Sequence, residues 1–191
     1  MRIVGGTLSG RRLRVNVKAG TRPTPDRVRE GVASALDSRD AIEDAVVLDL
    51  FSGTGAWSFE LLSRGARGAT AVDISRPNIN EINANAQALQ VQDRLRTITA
   101  DLFRVDDVIR KIGDIEVPFD LVVMDAPYDS VQRAVSSLIA LIERGTISTN
   151  AWIAIEHATN RPPELPDSLA LVSNYRYGDT GVALVTKKEA S

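Results

Sequence analysis

The sequence predicts an α/β chain built on a doubly wound, mostly parallel sheet of seven strands, with an antiparallel C-terminal hairpin strand and an N-terminal β-hairpin arm. Two observations carry the sheet. From residue 46 onward, short apolar runs alternate with helical segments, the pattern of a parallel sheet covered on both faces. The last two runs, "LALVSNYRY" and "GVALVTKK", flank "GDT", so they close the chain as a hairpin. The arm is expected over residues 1–20 and a single domain over residues 21–191.

Residues 2–17 read as the arm: "RIVGG", a Gly/Ser turn, then "RRLRVNV" with alternating Leu13, Val15 and Val17. In "TRPTPDRVREGVASAL", Thr24 is the expected N-cap, Pro25 suits the first helical position and Asp26 favours the positive helix start. Val28, Val32, Ala35 and Leu36 form its apolar stripe. "VVLDL" (46–50) is the first buried strand, and "AWSFELLSRG" (56–65) is a helix stopped by Gly65. "GATAVD" (68–73), a helix over 75–89 capped by Ser75, and "LRTITA" (95–100) follow. A helix over 102–113, "FDLVVM" (119–124), a helix over 131–145 and "AWIAIEH" (151–157) complete the alternation. "RPPELP" (161–166) is a connector.

Composition narrows the chemistry. The 191 residues are 43% hydrophobic and 25% charged, ordinary for a globular domain. With no cysteine there are no disulfides, thiolate metal sites or cysteine nucleophile, and a single histidine argues against a histidine-rich metal site. The start "MRIVGGTLSG" carries no apolar signal core, and no apolar run reaches membrane length, so the expected location is the cytoplasm. Charge is unevenly placed. Residues 1–30 carry eight basic and two acidic side chains, a net +6, and the remainder of the chain is −8. A basic, arginine-rich arm on an acidic body suits phosphate contacts.

In open parallel sheets, ligands sit beyond the carboxyl ends of the strands, near the reversal of strand order. The strand ends supply Asp49 to Gly55, Asp73, Asp101, Asp125 to Tyr128, and Glu156–His157. "DLFSGTG" places Gly53 and Gly55 where backbone can approach a ligand, and Asp73 follows the first glycine by about 20 residues, the spacing of a ribose-binding carboxylate. Ser58 stands where the dinucleotide fingerprint has its third glycine, which argues against NAD or FAD. Each carboxylate also has a structural alternative. Asp49 would cap a turn, Asp73 would start a helix, and Asp101 would cap the helix that follows or reach an adenine amino group.

"DLFSGTG", Asp73, Asp101 and "DAPY" (125–128) occur in the order of the class I S-adenosylmethionine-dependent methyltransferases, which are Rossmann-like. "RIVGGTLSGRRLRV", "TRPTPDRVREGV", "LLSRGA" and "YGDTGVALV" are similar to the RsmD family within it, so the resemblance covers nearly the whole chain. It implies methyl transfer to the exocyclic N2 of a specific guanine in 16S rRNA, within an assembling small ribosomal subunit, leaving S-adenosyl-L-homocysteine. The protein would be a monomer that needs no metal or membrane. Asp49, Phe51, Ser52, Gly53, Gly55, Asp73, Ile74, Asp101 and Leu102 would hold the cofactor. Asp125, Ala126, Pro127 and Tyr128 would carry the chemistry, and Arg11, Arg12, Arg14, Arg22 and Arg27 would meet RNA. Arg22, Thr24 and Arg27 are also candidates for the methionine end of the cofactor.

Two positions depart from the family. Asp73 stands for the usual glutamate and Ala126 for the usual first proline of the signature. The role expected of residue 126 is its backbone carbonyl, which alanine also has, and Pro127 already biases residue 126 toward extended geometry. Two other functions stay open. A same-fold methyltransferase acting on adenine N6 or a small molecule is one, and for the small-molecule case arm deletion would spare activity. A non-catalytic RNA-binding assembly factor is the other, which measurable turnover would dismiss. His157 is expected to be structural, Trp57 and Phe59 to pack in the core or cofactor pocket, and "YGDT" to form a hairpin turn.

Overall fold

The computed structural model describes residues 1–15, 24–113 and 118–188. Among them, seven strands form one sheet in the order β3-β2-β1-β4-β5-β7-β6. These are β1 (Val46–Leu50), β2 (Gly68–Asp73), β3 (Leu95–Thr99), β4 (Phe119–Met124), β5 (Ile147–Ala158), β6 (Leu169–Tyr177) and β7 (Thr180–Lys187). The helices are α1 (Asp26–Asp37), α2 (Ala56–Ser63), α3 (Arg76–Leu89), α4 (Val105–Ile112) and α5 (Val131–Glu143). Strands β1 to β5 pair in parallel, and β7 runs antiparallel between β5 and β6. Chain order reverses between β1 and β4, so their carboxyl ends flank the crevice where such sheets bind ligands.

Alternation along the central strands separates two cores. Val47, Leu121 and Val123 face a cluster shared with α1, α2 and α3, while Leu48, Val122 and Met124 face one shared with α4 and α5. Both faces are therefore apolar, which explains why these strands read as continuous runs rather than alternating ones. Among the described residues no helix is long and apolar enough to cross a membrane.

Several boundaries differ from the sequence expectation. Helix α1 begins at Asp26 with Pro25 as its N-cap and no side-chain cap bond, because the Thr24 hydroxyl is turned to Asp125 instead. In α1, Val28, Val32 and Leu36 are buried and Ala35 is half-buried, and the buried face also takes Ala33 and Arg29. Helix α4 starts at Val105 rather than 102, since Asp101 accepts from the Phe103 N–H and holds residues 102–104 in a turn. Strand β5 begins at Ile147, earlier than residue 151.

The N-terminal segment carries one antiparallel bridge, Arg2 with Arg12, extended by bonds from Ile3 N to Arg11 O and from Leu13 N to Met1 O. The end of the expected hairpin, from residue 16, lies outside the described residues. The segment spends many of its polar groups on the body. Val4 N and Gly5 N donate to the two oxygens of Glu60 at 2.8 and 2.9 Å. Leu8 N donates to Ser63 Oγ, and Asn85 exchanges two bonds with the Arg14 backbone at 2.9 Å. Gly6, at φ 73°, passes so close to the Ser63 carbonyl that a Cβ would sit 1.9 Å from its oxygen. Ile3 and Leu13 are buried in the α1–α3 core.

Glu60 is fully buried and also pairs with Arg64 Nε at 2.8 Å. Its loss would strand two amides and a guanidinium. Glu60→Ala is expected to cost roughly 3–5 kcal/mol, as for breaking a buried pair. Chemical denaturation measures this, and hydrogen exchange at Val4 and Gly5 would rise with it.

Candidate functional site

At the crevice lies a cavity of about 460 Å³, within the size range of small-molecule sites. The loop after β1 contributes Phe51, Ser52, Gly53 and Thr54, and the end of β2 contributes Asp73 and Ile74. The segment after β4 gives Asp125, Ala126, Pro127 and Tyr128. Of the residues expected to hold a cofactor or carry the chemistry, nine meet there: Phe51, Ser52, Gly53, Asp73, Ile74 and Asp125 through Tyr128. Thr24, Trp57, Asn78, Glu156 and Thr180 also line it.

Four expected residues stand outside the lining. Asp49 is fully buried and accepts from Ser58 N at 3.1 Å and Ser58 Oγ at 2.6 Å, joining β1 to the start of α2. Gly55 is the left-handed N-cap of α2 at φ 73°, and a Cβ there would meet Ile82 at 2.9 Å and Phe59 at 3.1 Å. Its glycine serves helix packing, whereas Gly53 faces the cavity. Asp101 holds its own turn, and Leu102 is buried in the α4–α5 core. Arg11, Arg12, Arg14 and Arg27 are exposed and apart from the lining, and Arg22 lies outside the described residues.

The loop geometry rests on Asp73. One oxygen accepts from Gly53 N at 2.8 Å, and the other from Ser75 N at 2.7 Å and Asn78 Nδ2 at 3.4 Å. The carboxylate thus ties the glycine loop to the start of α3. Phe51 adopts φ 61°, uncommon for a bulky residue, and its ring lies 5.5 Å from that of Phe103. The Arg133 guanidinium sits 4.0 Å over the Phe103 ring, backing this aromatic wall.

The electrostatics are one-sided. Asp73, Asp125 and Glu156 line the cavity and Asp49 lies behind it, while no Lys, Arg or His is among the described lining residues. Burial pushes Asp49 up to about 7, against its Ser58 hydrogen bonds, with Asp125 and Asp73 adding to the rise. Burial likewise raises Asp125 to about 6, opposed by a bond from Thr24 Oγ1 to Oδ2 at 2.5 Å. Among the described residues, the buried Asp49 Oδ1, Ser52 Oγ and Trp57 Nε1 have no hydrogen-bond partner. Such atoms in a polar crevice mark places where a ligand or water completes the bonding. Among the described residues, the lining has the charge that suits a cationic or zwitterionic ligand.

Sequence reasoning did not assign Asn78, Thr180 or the polar end of Trp57 to the site. The "YGDT" turn has a role that only contacts reveal. Thr180 Oγ1 meets the Tyr128 hydroxyl at 3.0 Å, and Tyr177 packs across α1 at Gly31. His157 contacts the Ala158 carbonyl at 2.9 Å and stacks over Gly181, a structural place as expected.

The family model described as conserved hypothetical protein 95 matches residues 1–186. The chain is 33% identical over 175 residues to the ribosomal RNA small subunit methyltransferase D of Escherichia coli strain K12, covering 90% of this chain and 82% of that protein. It is 28% identical to the protein of that name from Haemophilus influenzae, covering 93% of this chain and 89% of that one. A solved structure of a provisionally named methyltransferase of Escherichia coli, yhhF, superposes with TM-score 0.81 at 27% identity, covering 98% of both chains. An RNA methyltransferase of Salinibacter ruber in complex with S-adenosyl-L-homocysteine shares the fold, with TM-score 0.63 at 19% identity over 89% of this chain and 97% of that one.

The raised Asp49 gives a stability test. Its unfolded carboxyl titrates near the ordinary aspartate value of 3.8, and burial lifts the folded one to about 7. Between those values the native state binds more protons, so stability is fully present below the lower value and is lost as pH rises toward the upper. Asp49→Asn is expected to flatten that decline. Denaturation of both proteins from pH 4 to pH 8 checks it.

Proposed function

The chain belongs to the RsmD family, matched over residues 1–186, and on that premise we propose that it transfers a methyl group from S-adenosylmethionine to the exocyclic N2 of a guanine in 16S rRNA. The observation that carries the reading is the acidic cavity at the β1/β4 reversal, with Asp125–Tyr128 along one side.

The residues present fit that cofactor. A lining rich in carboxylate and lacking cations among its described residues suits a sulfonium and an amino group better than a pyrophosphate. Trp57 Nε1 and Ser52 Oγ, without a hydrogen-bond partner among the described residues, are available to the methionine end. Asp73 retains lone pairs for ribose hydroxyls beyond its backbone bonds. Ile74, 67% exposed at the rim, is an apolar platform for the adenine.

When bound, S-adenosylmethionine supplies an electrophilic methyl group on sulfur. This chain's residues manage the nucleophile. The lone pair of a guanine amino nitrogen is delocalised into its ring. Asp125 and the carbonyl of Ala126 accept its two N–H groups, orient the nitrogen toward the methyl and favour tetrahedral geometry. The nitrogen sheds one proton as it gains the methyl, and Asp125, already lifted by burial, is placed to receive it. Tyr128, its hydroxyl held at Thr180, offers a ring face for a flipped-out base. The exposed Arg11, Arg12 and Arg14 supply phosphate contacts outside the cavity.

Undermodified small subunits incubated with a labelled donor test the reading. Label is expected on guanine N2, and label on adenine or none at all would overturn it. Asp125→Ala is expected to lower the single-turnover rate by at least about 10²-fold, the scale of losing one positioned group. Ala126→Pro keeps the carbonyl and is expected to leave the rate unchanged or modestly higher. If that change instead activated an inert protein, the natural chain would be an RNA-binding factor.

Replacing Arg11, Arg12 and Arg14 together with alanine is expected to flatten the salt dependence of RNA affinity while cofactor affinity holds. Filter binding across a salt series reads the slope, and an unmoved slope would reduce the arm to a solvated face.

A further inference from the structure

Asp125 is held from outside its own strand. Thr24 is 7% exposed, and its hydroxyl reaches Asp125 Oδ2 at 2.5 Å across 101 residues of chain. Thr24 stands just before α1, where a side chain would ordinarily fray or cap the helix. Here its backbone is held in place. Arg29, fully buried, donates from Nη1 to the Thr24 carbonyl at 2.7 Å. Its Nη2 meets the Arg2 carbonyl and Asp26 Oδ1, each at 2.7 Å. The hydroxyl is thus fixed by a buried guanidinium that also grips the N-terminal segment.

An ionised carboxylate can only accept, so the Thr24 hydroxyl donates to it. We propose that Thr24 is a positioning residue for the methyl transfer described above: it keeps Asp125 ionised, occupies Oδ2, and leaves Oδ1 to accept one N–H of the substrate amine. The need for such a donor follows from the surroundings. Asp49 on β1, Asp73 on β2 and Glu156 on β5 share this end of the sheet, and the Tyr128 hydroxyl is engaged by Thr180. Burial favours the protonated form of Asp125, and the Thr24 bond pulls the other way. A protonated Asp125 would lose acceptor strength toward the amine.

The proposal rests on the methyltransferase reading, but part of its test does not. Carboxyl carbon NMR of the full chain follows the Asp125 titration in the natural protein, Thr24→Val and Thr24→Ser. A hydrogen bond to a charged group is worth about one to two pKa units. Thr24→Val, nearly isosteric, is expected to raise the Asp125 midpoint by about that much, and Thr24→Ser to restore it. Thr24→Ala replaces Thr24→Val if the latter loses its fold. In single-turnover assays the acid limb of the rate should move with the midpoint, with KM for RNA unchanged. A tie that only braces the fold would lower the melting temperature and leave the midpoint in place. An unmoved midpoint in Thr24→Val, or no rescue by Thr24→Ser, overturns the proposal. If the natural protein transfers no methyl group, the functional reading falls while the titration still decides whether Thr24 governs Asp125.

Discussion

Four carboxylates gathered at the carboxyl edge of one sheet are the constraint that the rest of the site answers. Asp49, Asp73, Asp125 and Glu156 stand at or beyond the ends of β1, β2, β4 and β5, all buried or half-buried. Burial in low dielectric disfavours the ionised forms of Asp49 and Asp125, and at Asp49 the nearby Asp125 and Asp73 add repulsion. Each described partner answers part of that cost. Ser58 serves Asp49, the Gly53 and Ser75 amides serve Asp73, and Thr24 serves Asp125. The carboxylates are kept, not replaced by apolar residues, and a cationic ligand would neutralise them where the described lining residues include no cation. The fold is thereby made less stable than it could be at the place where it binds, a familiar trade between stability and function.

Buried charge also fastens the N-terminal segment. Glu60 and Arg29 are both fully buried, and each takes backbone groups of that segment or of Thr24 as partners. Such ties differ from the exposed Arg144–Asp106 pair, which belongs to a class worth about 1 kcal/mol or less. A buried charge given backbone partners specifies one arrangement, because any displacement leaves it unsatisfied. The segment is basic where it is exposed, at Arg11, Arg12 and Arg14, and apolar where it meets the core, at Ile3 and Leu13. A surface suited to phosphate is in this way held in fixed relation to the cavity.

Phe51 gives the cavity an aromatic and strained wall. Phe51 keeps a left-handed backbone at the end of β1, and its ring is supported by Phe103, itself covered by Arg133. Strain of this sort persists when neighbours over-determine the conformation, and it concentrates at ligand sites. Gly53 N of the same loop donates to Asp73, so wall, glycine turn and carboxylate form one unit.

The periodic features of this protein were determined by sequence alone. Apolar β-branched runs between helical segments specify a parallel sheet with two covered faces, because each strand must bury both sides. The strand ends then point to Asp73 and Asp125, since open sheets bind ligands at that edge. What the sequence could not assign depends on long-range partners. Thr24 reads as an N-cap because a hydroxyl before a helix has a local use, and only the fold brings Asp125 within reach. Asp49 and Gly55 read as ligand residues from their place in the glycine loop, yet close packing of α2 and α3 claims them. Arg29 and Glu60 carry no local sequence signal beyond their charge, and the docked N-terminal segment supplies partners to both buried groups. Periodicity reports which face of an element is apolar, whereas the partner of a polar group is chosen by whatever the tertiary structure places within about 3 Å of it.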